Sequence, residues 1–221
     1  MKKILAIFVS LLTMGAVNAQ TVTLDSVGRN ADYVNSILGR AKKVTDALKI
    51  TDTDKGEQVK NIVANRYFKL NDIYEERDSL KKAASELTGE QKKQAQAFAE
   101  NQKDMKLYRS HFAFDADLSI YLTAEQIETV KDVMTYNVVK VTYEAQCDMI
   151  PTLKDEEKAQ ILAWLKEARE FAVDAESSRK KHEAFGKYKG RINNYLSKRG
   201  YDLQKERQEW EKRVKARGGT L

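Results

Sequence analysis

Cysteine, proline and histidine are almost absent from this chain of 221 residues, which has one, one and two of them respectively. A single cysteine, Cys147, excludes an internal disulfide, so stability has to come from a packed core. Cys147 itself reads as a small buried apolar residue on a helix, with a reactive thiol as the alternative. A single proline, Pro151, combined with a lack of long strand-like alternation, favours helices from end to end. There is no Gly-rich phosphate loop, HExxH, GxSxG, CxxC or EF-hand loop, and the chemistries those motifs carry lose their sequence support. His111 and His182 stand far apart. With Glu183 they supply zinc-type donors, but no His-to-His spacing supports a site, so no metal and no cofactor is expected.

Long apolar runs are missing too, apart from one at the start. Lys2 and Lys3, the run Ile4 to Leu12 and the small-residue sequence Val17-Asn18-Ala19 read as a secretory signal at residues 1–19. The run is short for a bilayer span, and membrane insertion is not expected after its removal. The whole chain carries a formal charge of +6. Two lysines fewer leave +4, with both signs interspersed, and nothing resembles a groove-reading motif. Nucleic acid is therefore not an expected partner.

What is present is helical periodicity. The expected fold is all-α, a single bundle of about six to seven helices over residues 20–221. Asn30 to Leu48 carries Val34, Ile37, Ala41 and Val44 on one stripe. A second helix starts near Asp54, with Glu57 as capping partner, and runs to about Ser85. A third starts at a capping box on Thr88 and runs to about Arg109, followed by an apolar linker or short helix of Phe112, Phe114, Leu118, Tyr121 and Leu122 that is expected to plug the core. Thr123 opens the best capping box, with Gln126 as its partner and Leu122 and Ile127 as a hydrophobic staple. The helix it starts reads as one apolar segment to Met149, buried on two sides at the centre of the bundle and ended by Pro151. A further helix from Leu153–Glu157 carries Ile161, Leu165, Ala168 and Ala172. Arg191 to Arg199 reads as helical before a left-handed cap at Gly200. A charged helix over residues 203–217 is expected to be peripheral.

Chemistry concentrates in two places. Glu167, Glu170 and Asp174 share one helix face, with Lys166, Arg169 and Arg179 as available partners. They are either a salt-bridged face or an acid–base pair in a cleft. In the stretch Lys187 to Tyr195 and just before it, two asparagines and two glycines, Gly186 and Gly190, oppose helix formation, by about 0.5–1 kcal/mol for each glycine. Tolerating them implies either a tight helix crossing at Gly190 with inter-helix hydrogen bonds, or a polar ligand site. Asn amides suit sugar hydroxyls because each offers a donor and an acceptor.

The segments LTAEQIETVKDVMTYN and LKEAREFAVDAESSRKKHEAFGKYKGRINNYLSKRGYDL resemble a family of secreted Bacteroidetes proteins known as domain of unknown function 3826. That resemblance implies sugar binding, beside genes for plant-polysaccharide, especially pectin, breakdown. It carries over Tyr136, Asn137, Glu167, Arg169, His182, Lys189, Arg191, Asn193, Asn194 and Tyr195 as signature positions. The resulting expectation is a periplasmic or secreted protein that binds acidic oligosaccharides between the Thr123–Met149 and Lys187–Arg199 helices. In it Lys189 and Arg191 pair with uronates, Asn193 and Asn194 hold hydroxyls, and Tyr136 or Tyr195 stacks on a ring, beside Asn137. The alternatives are a glycosidase or lyase using Glu167, Glu170 or His182, and a helical chaperone or adaptor. The last follows from the recurring Leu-Thr-x-Glu-Gln helix starts, which resemble the LTxxQ signature.

Overall fold

The computed structural model describes residues 21–220. The signal segment expected at residues 1–19 lies outside the described residues. Eight helices and no strands are found among them, so the fold is all-α with one or two helices more than the periodicity implied. They are α1 (Ala31–Leu48), α2 (Thr53–Ser85), α3 (Gly89–Ser119), α4 (Ala124–Met134), α5 (Val138–Met149), α6 (Asp155–Val173), α7 (Ser178–Lys198) and α8 (Leu203–Ala216).

Side-chain caps set many of the starts. Asn30, Asp52, Thr123, Ser177 and Asp202 each accept a hydrogen bond from the backbone N–H three residues on. At Thr123 the box is complete, because Gln126 accepts in turn from the Thr123 N–H at 3.1 Å. Asp52 replaces the expected cap at Asp54, and Thr88 makes no side-chain cap bond. Ahead of α1, residues 22–25 lie along α2. Gln58, Asn61 and Asn65 bind their backbone, and Arg29 forms two bonds of 2.8 Å to Asp72.

Two apolar cores result. The first gathers α1, α2, the end of α3 and α4 around Ile37, Val63, Phe68, Leu118 and Val130, and takes in Val173 from α6. The second gathers α5, α6 and α7 around Ile161, Leu165, Phe185, Ile192 and Leu196. Helix α6 is the central one, with Ile161, Leu165, Ala168, Arg169, Ala172 and Val173 all buried. The expected central position of the Thr123–Met149 segment is not found. In α5 only Val139 and Thr142 are buried, Val141 faces solvent, and Cys147 is half-buried.

That segment is also not one helix. After Met134 the chain closes a Schellman motif: the Asn137 N–H donates to the Asp132 oxygen at 2.7 Å and the Tyr136 N–H to the Val133 oxygen at 3.2 Å. Tyr136 and Asn137 both take the left-handed conformation, with φ 61° and 55°. The usual residue for the first of these places is glycine, since a Cβ there costs about 1–2 kcal/mol. The Thr135 hydroxyl adds to the break by donating to the Lys131 oxygen at 2.7 Å, competing with the helical ladder.

Further details refine the sequence reading. The linker at Phe112 is helical, because α3 runs on to Ser119; Phe114 and Leu118 enter the core, but Phe112 points outward. The segment from 179 to 190 is helical as well. Nothing lies within 4 Å of a Cβ placed at Gly186 or Gly190, so neither glycine marks a tight crossing. The charged C-terminal helix buries only Val214 and is fixed to α5 by polar contacts: Trp210 Nε1 donates to Asp148 at 2.7 Å, and Arg213 reaches the Asp148 and Met149 carbonyls at the end of α5. Cations there also face the negative end of the helix dipole.

The break between α4 and α5 yields a test. Asn137→Val, a β-branched residue forced into positive φ, is expected to destabilise the fold by about 1–2 kcal/mol in urea denaturation, while Asn137→Gly loses nothing. Equal stability of the two variants would refute the strain assigned to this position.

Candidate functional site

Between the two cores runs a chain of buried charges. Arg66 of α2, Lys131 of α4 and Arg169 of α6 are all nearly inaccessible to solvent. A buried ion has to be paired to be tolerated, and each of these is. Asp174, at the C-cap of α6, accepts from Arg66 on one oxygen and contacts His111 Nδ1 at 2.9 Å on the other. His111 Nε2 lies 3.4 Å from Glu170, and Lys131 bridges Glu170 at 2.8 Å and Asp115 at 2.6 Å. Arg169 holds Glu128 at 2.6 Å and Asp132 at 2.8 Å.

These contacts set the protonation states. The hydrogen bond to Asp174, followed by that to Glu170, pushes His111 up to about 9. Burial raises the Glu170 carboxyl, but hydrogen bonds from His111 and Lys131 outweigh it and bring it down to about 2. At neutral pH the pair is therefore an imidazolium between two carboxylates, with both ring nitrogens engaged. Such a histidine is a donor with no free lone pair for proton abstraction.

The His111–Glu170–Asp174 group forms the floor of a cleft of about 920 Å³ between α2–α3 and α6–α7. Three large aromatic residues stand on its lip and face solvent: Tyr108, 69% exposed, Phe112, 57%, and Phe171, 62%. Tyr108 and Phe112 meet edge to face at 5.1 Å, and Phe171 lies against Tyr188 at 6.3 Å. Around them are Arg77, Lys81, Lys103, Lys180 and Lys187. Among the described residues all but Lys187 are paired with acids: Arg77 with Glu176, Lys81 and Lys103 with Glu100, Lys180 with Glu183. The cleft is thus an aromatic lip over a neutralised polar floor, a combination that binds rings carrying hydroxyls.

The residues singled out from sequence are spread over five places. Glu170 is in the cleft floor. Glu167 turns away, to Arg191 at 3.4 Å; Arg191 also covers the Trp164 ring at 4.5 Å, and Tyr195 meets the same ring at 5.1 Å. Tyr136 stacks on the exposed His182, with ring centres 5.6 Å apart, next to Asn137 at the α4–α5 break. Lys189, Asn193 and Asn194 are exposed on the outer face of α7 and line none of the cavities described in this structure. Arg169 is an internal ion-pair residue. The cleft expected between the Thr123–Met149 and Lys187–Arg199 helices is therefore not assembled; the α7 face that turns inward packs on α6 instead.

Missed from sequence were His111 as a partner of Glu170 and Asp174, and the lip residues Tyr108, Phe112 and Phe171. The one available signal was that Phe112 and Phe171 sit off the apolar stripes of their helices. His111, Asp115 and Glu170 also lie close enough to share a cation. The Lys131 ammonium already binds both Asp115 and Glu170, and neither His182 nor Glu183 belongs to the group.

The charge network predicts a pH profile. His111 is raised in the folded state, so its contribution is complete below about 6.5 and is lost as pH rises toward 9. Glu170 is lowered, so its contribution is complete above about 4.5 and is lost as pH falls toward 2. Through these two groups stability in urea should be highest at about pH 4.5–6.5 and decline by about 1–3 kcal/mol by pH 9, discounting for partial solvation, while the buried Lys181, lowered to about 8, offsets part of that decline above pH 8. His111→Gln should flatten the alkaline limb; an unchanged limb in that variant would refute the assignment.

Comparison with known proteins returns no match among curated proteins. A family profile does match, over residues 34–216, which takes in all eight helices except the first three residues of α1. The chain belongs to the DUF3826 family, described as a protein of unknown function.

Proposed function

We propose that this protein is an exported, periplasmic or secreted, carbohydrate-binding helical protein that takes pectin-type oligosaccharides into the cleft between α2–α3 and α6–α7. The observation that carries the reading is the lip formed by Tyr108, Phe112 and Phe171. Three aromatic rings exposed around one concave, polar-floored cleft are costly in water and are the natural platform for the C–H faces of sugar rings. Because four of the five rim cations are already paired, ring stacking holds the ligand here, and Lys187 adds the unpaired positive charge. The sequence-based placement on Asn193 and Asn194 is replaced by this one.

The locked state of His111 favours binding over turnover. A glycosidase or lyase at this cleft would need Glu170 or His111 to release a proton site near neutral pH, and each is held by two or more partners. His182 lies away from the cleft, stacked on Tyr136.

Calorimetric titration of residues 20–221 with oligogalacturonides and with neutral oligosaccharides tests the reading. Phe112→Ala/Phe171→Ala, two exposed substitutions that leave both cores intact, should weaken binding by about 1–3 kcal/mol, roughly five- to 150-fold. Chromatography of the mixtures should return intact sugars. Full affinity in the double variant would remove the cleft from consideration, and cleaved product would move the reading to an enzyme.

A further inference from the structure

On the other side of the α6–α7 turn lies a second cavity, of about 490 Å³, framed by α1, α2, the α4–α5 break and the first turn of α7. Tyr74, Ala175 and Glu176 belong to the walls of both cavities. The rings of Tyr33, Tyr67, Tyr74 and Tyr136 line this second space. Lys181, 6% exposed, forms part of its wall.

Lys181 differs from every other buried cation in the structure. Arg66, Lys131 and Arg169 each touch at least one carboxylate. The Lys181 ammonium donates to the Met134 carbonyl oxygen at 2.9 Å and lies 5.7 Å from the centre of the Tyr67 ring, and no carboxylate is within ion-pair distance among the described residues. Two of its three N–H groups are left for something else. Burial pushes the ammonium down to about 8; Asp174 opposes that shift, and Arg40 and Arg66 add to it.

The rest of the wall points the same way. Arg40 and Lys43, exposed on α1, have no ion pair among the described residues. Of the acids on the wall, Asp78 and Glu176 share the single charge of Arg77 and Glu75 is exposed, so Arg40, Lys43, Lys181 and Arg77 stand against three carboxylates and leave one net positive charge. The free charge facing this cavity is positive, and the start of α7 adds its dipole to it. The volume suits a ligand of one or two sugar rings.

We propose that this cavity is a carboxylate-binding pocket, in which Lys181 pairs with the acidic group of one sugar-acid unit while the surrounding tyrosines face its ring. The inference rests on the carbohydrate reading for the sugar and names where the acidic group of the ligand is recognised. Arg40 and Lys43 draw the anion to the mouth, and the ion pair with the ligand supplies the counter-charge that the protein withholds from Lys181.

Titration of residues 20–221 with galacturonate, galactose and inorganic phosphate separates the outcomes. Galacturonate should bind saturably, at least about tenfold tighter than galactose, a difference of about 1.4 kcal/mol. Its affinity should fall above about pH 8 as Lys181 loses its proton. Lys181→Met, which keeps the apolar stem, should abolish the preference; Arg40→Ala, a surface change, should weaken it several-fold should the first variant fold poorly. Equal affinity for galacturonate and galactose, full binding by a folded Lys181→Met protein, or tighter binding of phosphate would each overturn the pocket. Oligosaccharide binding at the aromatic lip without galacturonate binding overturns the pocket and leaves the cleft reading standing; no sugar binding at all overturns both.

Discussion

The carboxylate of Asp174 is the point on which the two halves of the molecule turn. One oxygen accepts from Arg66 of α2 and the other meets His111 of α3, while its own backbone oxygen accepts from the Tyr74 hydroxyl at 2.9 Å. Apolar contact alone would let two greasy cores slide over one another, because the hydrophobic effect has no direction. Hydrogen bonds between buried charges do have direction, and an unpaired one is expensive. Shifting α6 relative to α2–α3 would strand Arg66 in a region without water. Relative to apolar side chains packed in their place the ion pairs add little, yet breaking one is costly and together they set the register between the halves.

Both cavities follow from that register. The α6–α7 turn, residues 174–177, is held against α2 by Asp174, by Tyr74 and by the Arg77–Glu176 pair. The turn therefore stands as a ridge, with the aromatic-lipped cleft on the α3 side and the lysine pocket on the α1 side. The division of labour between them is physical. Aromatic rings at a wet edge contribute contact area that any sugar can use, whereas a desolvated ammonium discriminates by charge.

Much of the fold was legible in the residue pattern and less of the site. Helix starts were readable where a short polar side chain caps a periodic segment, as at Asn30 and Thr123. The helix end at Tyr136 was not, because the apolar period runs straight through it and the residue in the left-handed position has a Cβ. Phe112 was assigned to the core for being aromatic among apolar neighbours, but the extra turns of α3 rotate it outward. The Glu170–Asp174 face was visible as a face, while its partner His111 comes from an element 63 residues from Asp174, a distance that local spacing does not encode. Lys181 was hidden in a run of cations. Its neighbours Arg179 and Lys180 pair with Glu183 on the surface, and burial alone sets Lys181 apart.

The docking of α8 has a consequence in time as well as in space. The last carbonyls of α5 receive their donors from Arg213, and Asp148 finds Trp210 and Arg217 in α8 and at its C-cap, more than sixty residues on. As the polypeptide emerges from its N-terminus, α1 to α4 find most of their partners among themselves, with Val173 the late arrival in their core. The second half must wait: α5 stays unfinished until residues 210–217 have been made. The order of synthesis is thereby written into which half can hold its shape first.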